Sequence, residues 1–181
     1  MANAISVGID LGTSTCEVAY WDSVARRIRN VSFGGEGGPI VPSAVWFDRA
    51  RGRTVVGDQA YAMRVPKHRE VVLNIKREMG RDYRFVLDGR EYTPAEISGE
   101  ILKYLKAEAE RFTDGEVKQA VITVPAKFDT LAREHTEEAA RIAGLETLML
   151  LPEPVAALIG YESVAQDPER EYVAMVYDFG G

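Results

Sequence analysis

At 181 residues the chain is long enough for one well-cored domain, or for one domain carrying an inserted piece, and too short for two full domains. Apolar residues at 46% and charged residues at 28% exclude a largely disordered chain. With 28 Asp and Glu against 22 Lys and Arg, the formal net charge is −6, so the surface as a whole holds no attraction for nucleic acid or anionic membrane. Cys16 is the sole cysteine, which allows no internal disulfide and fits a reducing compartment. No apolar run approaches the roughly 20 residues of a spanning helix, and the N-terminus has neither the charged flank nor the apolar core of a signal peptide. A cytoplasmic protein is the expectation, with neither membrane nor nucleic acid as partner.

The first element is the stretch ISVGIDLGTST, residues 5–15. Ile5, Val7 and Ile9 alternate with Ser6, Gly8 and Asp10, the period of a strand with one buried face. It delivers a carboxylate, a glycine and three hydroxyl residues to a tight turn. Gly12 there is read as taking positive φ or admitting a close ligand, and the turn amides with Thr13, Ser14 and Thr15 form a concavity for anionic oxygens. Asp10 belongs beside bound anions only if a cation sits between them. A ligand-free Gly-Thr-Ser turn has the same composition, so the stretch by itself leaves both readings open.

A returning strand is expected over 18–21 and a third after the polar turn that follows; GGEGGP, residues 34–39, then breaks regular structure. SAVWF and RTVVG read as short strands, residues 58–65 as a short helix and 66–70 as a loop. YRFVL and REY flank Asp88 and Gly89, the signal of a two-residue hairpin. Thr93, Pro94 and Glu96 combine a capping box with proline at the first helical position. Ile97, Ile101, Leu105, Ala109 and Phe112 follow on one face, and Gly115 is the expected stop.

The last third reads strand (119–125), helix capped by Asp129 or Thr130 and ending at Gly144, strand (147–151), helix (154–164), strand (172–177). Such alternation predicts a sheet with parallel members whose ligands collect where strands end. Those ends are Pro125, Glu153 and Asp178. Asp178, Phe179 and Gly180 repeat the pattern of Asp10, Leu11 and Gly12. Two such turns facing each other could hold the phosphates of one nucleotide, with both aspartates addressing magnesium or its waters.

IDLGTST, YTPAEIS, AVITVPAKFD, AARIAGL, LLPEPVAALIGY and VYDFGG occur in the order and approximate spacing of the ATPase domain of the DnaK-type heat-shock chaperones, the seventy-kilodalton class. The chain resembles nearly all of that domain's first lobe. The resemblance implies an α/β fold: an actin-like ATPase (ribonuclease H-like) lobe, a mixed sheet with flanking helices plus an inserted α+β subdomain. It divides the chain into a core (1–38 and 113–181) and an insertion (39–112), with the second lobe and peptide-binding domain lying outside it.

Carried over by position, the resemblance gives Asp10, Lys76, Glu153 and Asp178 catalytic roles. Asp10 stands for the phosphate-loop aspartate near the metal and Asp178 for its counterpart. Lys76, in LNIKREMG, stands for the lysine that reaches the transferred phosphate and attacking water, and Glu153 for the glutamate ordering the metal's water shell. Magnesium is then addressed by Asp10, Asp178 and Glu153, mostly through water. Gly12, Thr13 and Ser14 form one phosphate loop, with Ser14 where threonine is usual; Gly180 and Gly181 begin the other. Pro125 and Arg133 match a relay to the peptide-binding domain, although Lys127 replaces the usual tyrosine, and Asp129 with Thr130 replaces Asn-Asp. A divergent member is implied. The resemblance also implies ATP or ADP with magnesium, and potassium as an optional ion; its partners are unfolded peptide clients, a J-domain co-chaperone and a nucleotide exchange factor. The isolated lobe is expected to be inactive as an ATPase. An actin-like filament or scaffold protein is the alternative from another class.

Overall fold

The computed structural model describes residues 4–34, 38–164 and 173–177. Two antiparallel strands, β1 (Ala4–Leu11) and β2 (Thr15–Asp22), form the opening hairpin, and β3 (Arg27–Asn30) extends it at one edge. β4 (Ile40–Pro42) also pairs with β2, beyond the reach of the four-residue β3. On the other side of β1, the parallel strands β10 (Glu116–Val124) and β11 (Glu146–Pro152) complete a six-stranded mixed sheet in the order β11-β10-β1-β2-β3.

Between β4 and β10 the chain builds a second unit. β5 (Ala44–Asp48) pairs with β6 (Arg53–Val56) and β7 (Val71–Leu73), with the short helix α1 (Asp58–Ala62) against them. A 3₁₀ turn, Ile75–Glu78, follows. The hairpin β8 (Phe85–Leu87) and β9 (Arg90–Tyr92) turns at Asp88 and Gly89, whose φ values of 52° and 78° are those of a type I′ turn.

Helix α2 (Pro94–Thr113) opens on the expected capping box: the Glu96 amide donates to Thr93 Oγ1 at 3.1 Å and the Thr93 amide to Glu96 Oε2 at 2.8 Å. Its predicted apolar stripe is real, with Ile97, Ile101, Leu105 and Ala109 fully buried in the same core cluster as Val7, Ile9 and Leu11 of β1. The stop differs from expectation. Asp114, not Gly115, is the left-handed residue, at φ 51°, a conformation that aspartate tolerates better than most side chains.

α2 packs on α3 (Thr130–Ile142) at Gly99, where a Cβ would stand 2.7 Å from Ile142 Cγ2. α3 is capped by Asp129, which accepts from the Ala132 amide at 2.8 Å. α4 (Glu153–Val164) begins where β11 ends. β11 is an edge strand and leaves Leu148 and Met149 half exposed. Of the strand expected over 172–177, residues 173–177 are described and have no strand conformation, and Val173, Met175 and Tyr177 are exposed; Tyr172 lies outside the described residues. Apolar alternation signals a preference for strand, which tertiary context can override. No described helix is long and apolar enough to cross a membrane.

Candidate functional site: a phosphate-type turn beside a buried lysine

Residues 12–14 join β1 to β2, and the geometry of this turn corrects one sequence expectation. Gly12 does not have positive φ. Its lack of a side chain is required by close approach instead, since a Cβ here would lie 2.0 Å from the Thr15 carbonyl oxygen. The turn is held from outside by Ser43, between β4 and β5. Ser43 donates its hydroxyl to the Gly12 carbonyl at 2.8 Å and its amide to the Ser14 carbonyl at 2.8 Å. Nothing in the sequence marks Ser43 for this work, because only the β2–β4 pairing brings it to the turn.

Cys16 lies beneath the turn, fully buried, with Sγ 3.1 Å from Ser43 Oγ. Burial pushes its thiol from an ordinary 9.0 up to about 11, against the smaller opposing effect of the Ser43 contact. Being protonated where an unfolded thiol is ionised, Cys16 contributes stability that is fully present below pH 9 and declines as pH rises towards 11. Iodoacetamide at pH 8 should therefore leave Cys16 unmodified in the folded protein and alkylate it rapidly in denaturant; mass spectrometry that finds equal rates would contradict this burial.

Asp10 projects from the exposed face of β1 next to the turn. Its cross-strand partner on β2 is Glu17, a second carboxylate directly opposite, which is an unfavourable pairing for a purely structural sheet. On the other side Thr123 of β10 donates its hydroxyl to Asp10 Oδ1 at 2.6 Å.

Lys76 stands on the 3₁₀ turn with 7% of its side chain exposed, and its Nζ pairs with Glu153 Oε1 at the start of α4. It is the one buried lysine or arginine among the described residues. Lysines are almost never buried without a partner, so a solvated surface lysine is excluded here. The 3₁₀ turn is fixed to α3 by the Gly80 amide, which donates to His135 Nδ1 at 3.1 Å. Gly80 itself has φ 79° and sits so close to Ala132 that a Cβ would be 3.0 Å from that residue's Cβ. Lys76, Gly12 and Thr123 line one small, largely apolar cavity, which places the turn and the lysine side by side.

Pro125 and Arg133 meet at a second turn. The Phe128 amide donates to the Pro125 carbonyl at 3.0 Å, and Arg133 Nε donates to the Phe128 carbonyl at 3.3 Å. Arg133 is thus tied to the end of β10 rather than free on the helix surface. Lys127 beside it is exposed. Asp178, Gly180 and Gly181 lie outside the described residues.

Among the described residues no three His, Cys, Asp or Glu are grouped so as to ligate a metal directly. Magnesium keeps several of its waters and takes one or two carboxylates together with substrate phosphates. Asp10, anchored and exposed beside the turn, fits that mode of binding.

A mixed sheet with flanking helices, whose strand β1 ends in an aspartate–glycine–hydroxyl turn beside a buried lysine, has the actin-like ATPase fold. Residues 6–181 match the family model described as Hsp70 protein. The chain belongs to the Hsp70 family. It is 42% identical over 177 residues to the chaperone protein DnaK of Thermotoga neapolitana, and likewise 42% identical to that of Thermosipho africanus. The DnaK of Thermosipho melanesiensis is 41% identical over the same length. Each comparison covers 97% of this chain and 28% of the relative. The chain therefore spans a little over a quarter of the length of these relatives.

Proposed function

We propose that this chain is the first lobe of the nucleotide-binding domain of a chaperone that hydrolyses ATP to control its hold on unfolded peptides. The observation that carries the reading is the buried ammonium of Lys76 next to a hydroxyl-rich turn. A desolvated cation is costly to maintain, and its strong field suits charge that develops on a transferred phosphoryl group.

In this reading the core comprises 1–38 and 113–181, and the insertion 39–112 supplies Lys76. The amides of the Gly12–Thr13–Ser14 turn, with those of Gly180 and Gly181, bind ATP or ADP phosphates. Asp10 and Asp178 orient water bound to magnesium, and Glu153 orders further water while holding Lys76 in place. Magnesium, when bound, would neutralise charge on the phosphates, with potassium as an optional ion. Lys76 positions the phosphoryl group and the attacking water. Pro125 and Arg133, joined through Phe128, relay the nucleotide state outward. A J-domain co-chaperone and a nucleotide exchange factor act on this cycle in the whole protein, and the single buried cysteine suits the cytoplasm.

The test is peptide binding by the full-length protein. Exchanging ADP for ATP should weaken its affinity for a fluorescent unfolded peptide about 5–150-fold, the usual span of allosteric coupling. Equal affinity in both nucleotides would overturn the chaperone reading.

A further inference from the structure

We infer that Thr123 is a positioning residue for the metal-addressing carboxylate, its hydroxyl holding Asp10 in the orientation that a phosphate-bound divalent cation requires. The inference rests on the proposed role of Asp10. Four observations carry it. The parallel register places Ile122 beside Ile9, so Thr123 stands beside Asp10 one residue later on the same face of the sheet. The 2.6 Å hydroxyl–carboxylate contact is a short, charge-assisted hydrogen bond, and threonine has only one such proton to give. β10 is bonded on both sides, by β1 and β11, so the hydroxyl is presented from a rigid strand rather than a loop. Across β1 from Thr123, the Glu17 carboxylate faces Asp10 and repels it.

Asp10 is thus flanked by one group that pushes and one that holds. A carboxylate gripped at Oδ1 keeps its second oxygen for a further donor, such as a water in a cation's hydration shell. Without the grip, the exposed side chain is free to rotate. Thr123 is also one of the residues lining the cavity shared with Gly12 and Lys76.

The experiment uses the full-length protein in complex with ADP, with Mn²⁺ as the probe and free Mn²⁺ read by electron paramagnetic resonance. Thr123→Val keeps the shape and removes the hydroxyl; it should weaken Mn²⁺ binding about tenfold or more, as loss of an outer hydrogen-bond partner does at other metal sites. Thr123→Ser keeps the hydroxyl and should stay within about threefold of wild type. ADP affinity measured in EDTA should be the same for all three proteins, a result that a general packing defect would not give. Wild-type Mn²⁺ affinity in Thr123→Val, or equal weakening in Thr123→Val and Thr123→Ser, would overturn the inference. Asp10→Asn separates the layers. If it weakens Mn²⁺ binding while Thr123→Val does not, only the role of Thr123 falls; if it too leaves binding unchanged, the assignment of Asp10 falls and takes this inference with it.

Discussion

Replacing Lys76 by alanine in the full-length protein should slow single-turnover ATP hydrolysis by about 10²–10³-fold, the usual cost of deleting one electrostatic contact to a transition state. Nucleotide affinity should change far less, because the amides of the 12–14 turn proposed to bind phosphate, and the Ser43 bonds that hold that turn, are untouched. The substitution also leaves Glu153 without its buried partner, and breaking such pairs from one side is destabilising. Glu153 retains 22% exposure and can rehydrate, which limits that penalty. Glu153→Gln therefore serves as the companion variant, since it breaks the same pair and leaves the ammonium in place. If the pair were merely structural, both variants would lower stability alike and neither would separate rate from affinity. Equal losses in rate and affinity for Lys76→Ala would point to a binding or folding role.

Gly12→Ala should be the most damaging added methyl at any glycine among the described residues. The added Cβ would meet the Thr15 carbonyl oxygen at 2.0 Å and its carbon at 3.3 Å, both backbone atoms with no rotamer to yield. Relief requires opening the hairpin where Leu11 faces Cys16, or releasing the two bonds from Ser43. We expect a loss of about 3 kcal/mol, at the upper end for overpacking. The thermal midpoint of the transition that includes this chain should fall by about 6–12 °C. Nucleotide binding should be lost with it, because the deformed segment is the one proposed to hold phosphates. A thermal midpoint unchanged by Gly12→Ala, measured calorimetrically, would show that the turn relaxes more easily than its contacts indicate.

The local elements were legible because their causes are local. Alternation over 5–9, the Thr93–Glu96 capping box, the Asp88–Gly89 turn and the Asp129 cap all act within a few residues of themselves, and all are found as expected. Two local readings failed in informative ways. Gly115 is an ordinary choice for a helix stop, yet Asp114 takes the left-handed position. Residues 173–177 have the alternating pattern of a strand and are not in strand conformation, because apolar alternation records a preference and not a ladder. β4 and β7 have no local turn signal like the Asp88–Gly89 pair that marks the equally short β8 and β9, and β4 is what carries Ser43 to the turn.

By itself the sequence determined the family, through motifs in a fixed order, and with it the identity of Asp10, Lys76 and Glu153 as residues to watch. Only the tertiary structure decided how they stand to one another. Lys76 and Glu153 are 77 residues apart and meet because the 3₁₀ turn carrying Lys76 comes to the start of α4. Burial, the property that distinguishes Lys76 from a surface lysine, belongs to that packing and not to any stretch of chain. The same holds for Thr123 and Asp10, 113 residues apart and adjacent only through the β1–β10 register. Strand and helix signals travel along the chain, whereas desolvation and side-chain contact arise between segments that the chain brings together only once it has folded.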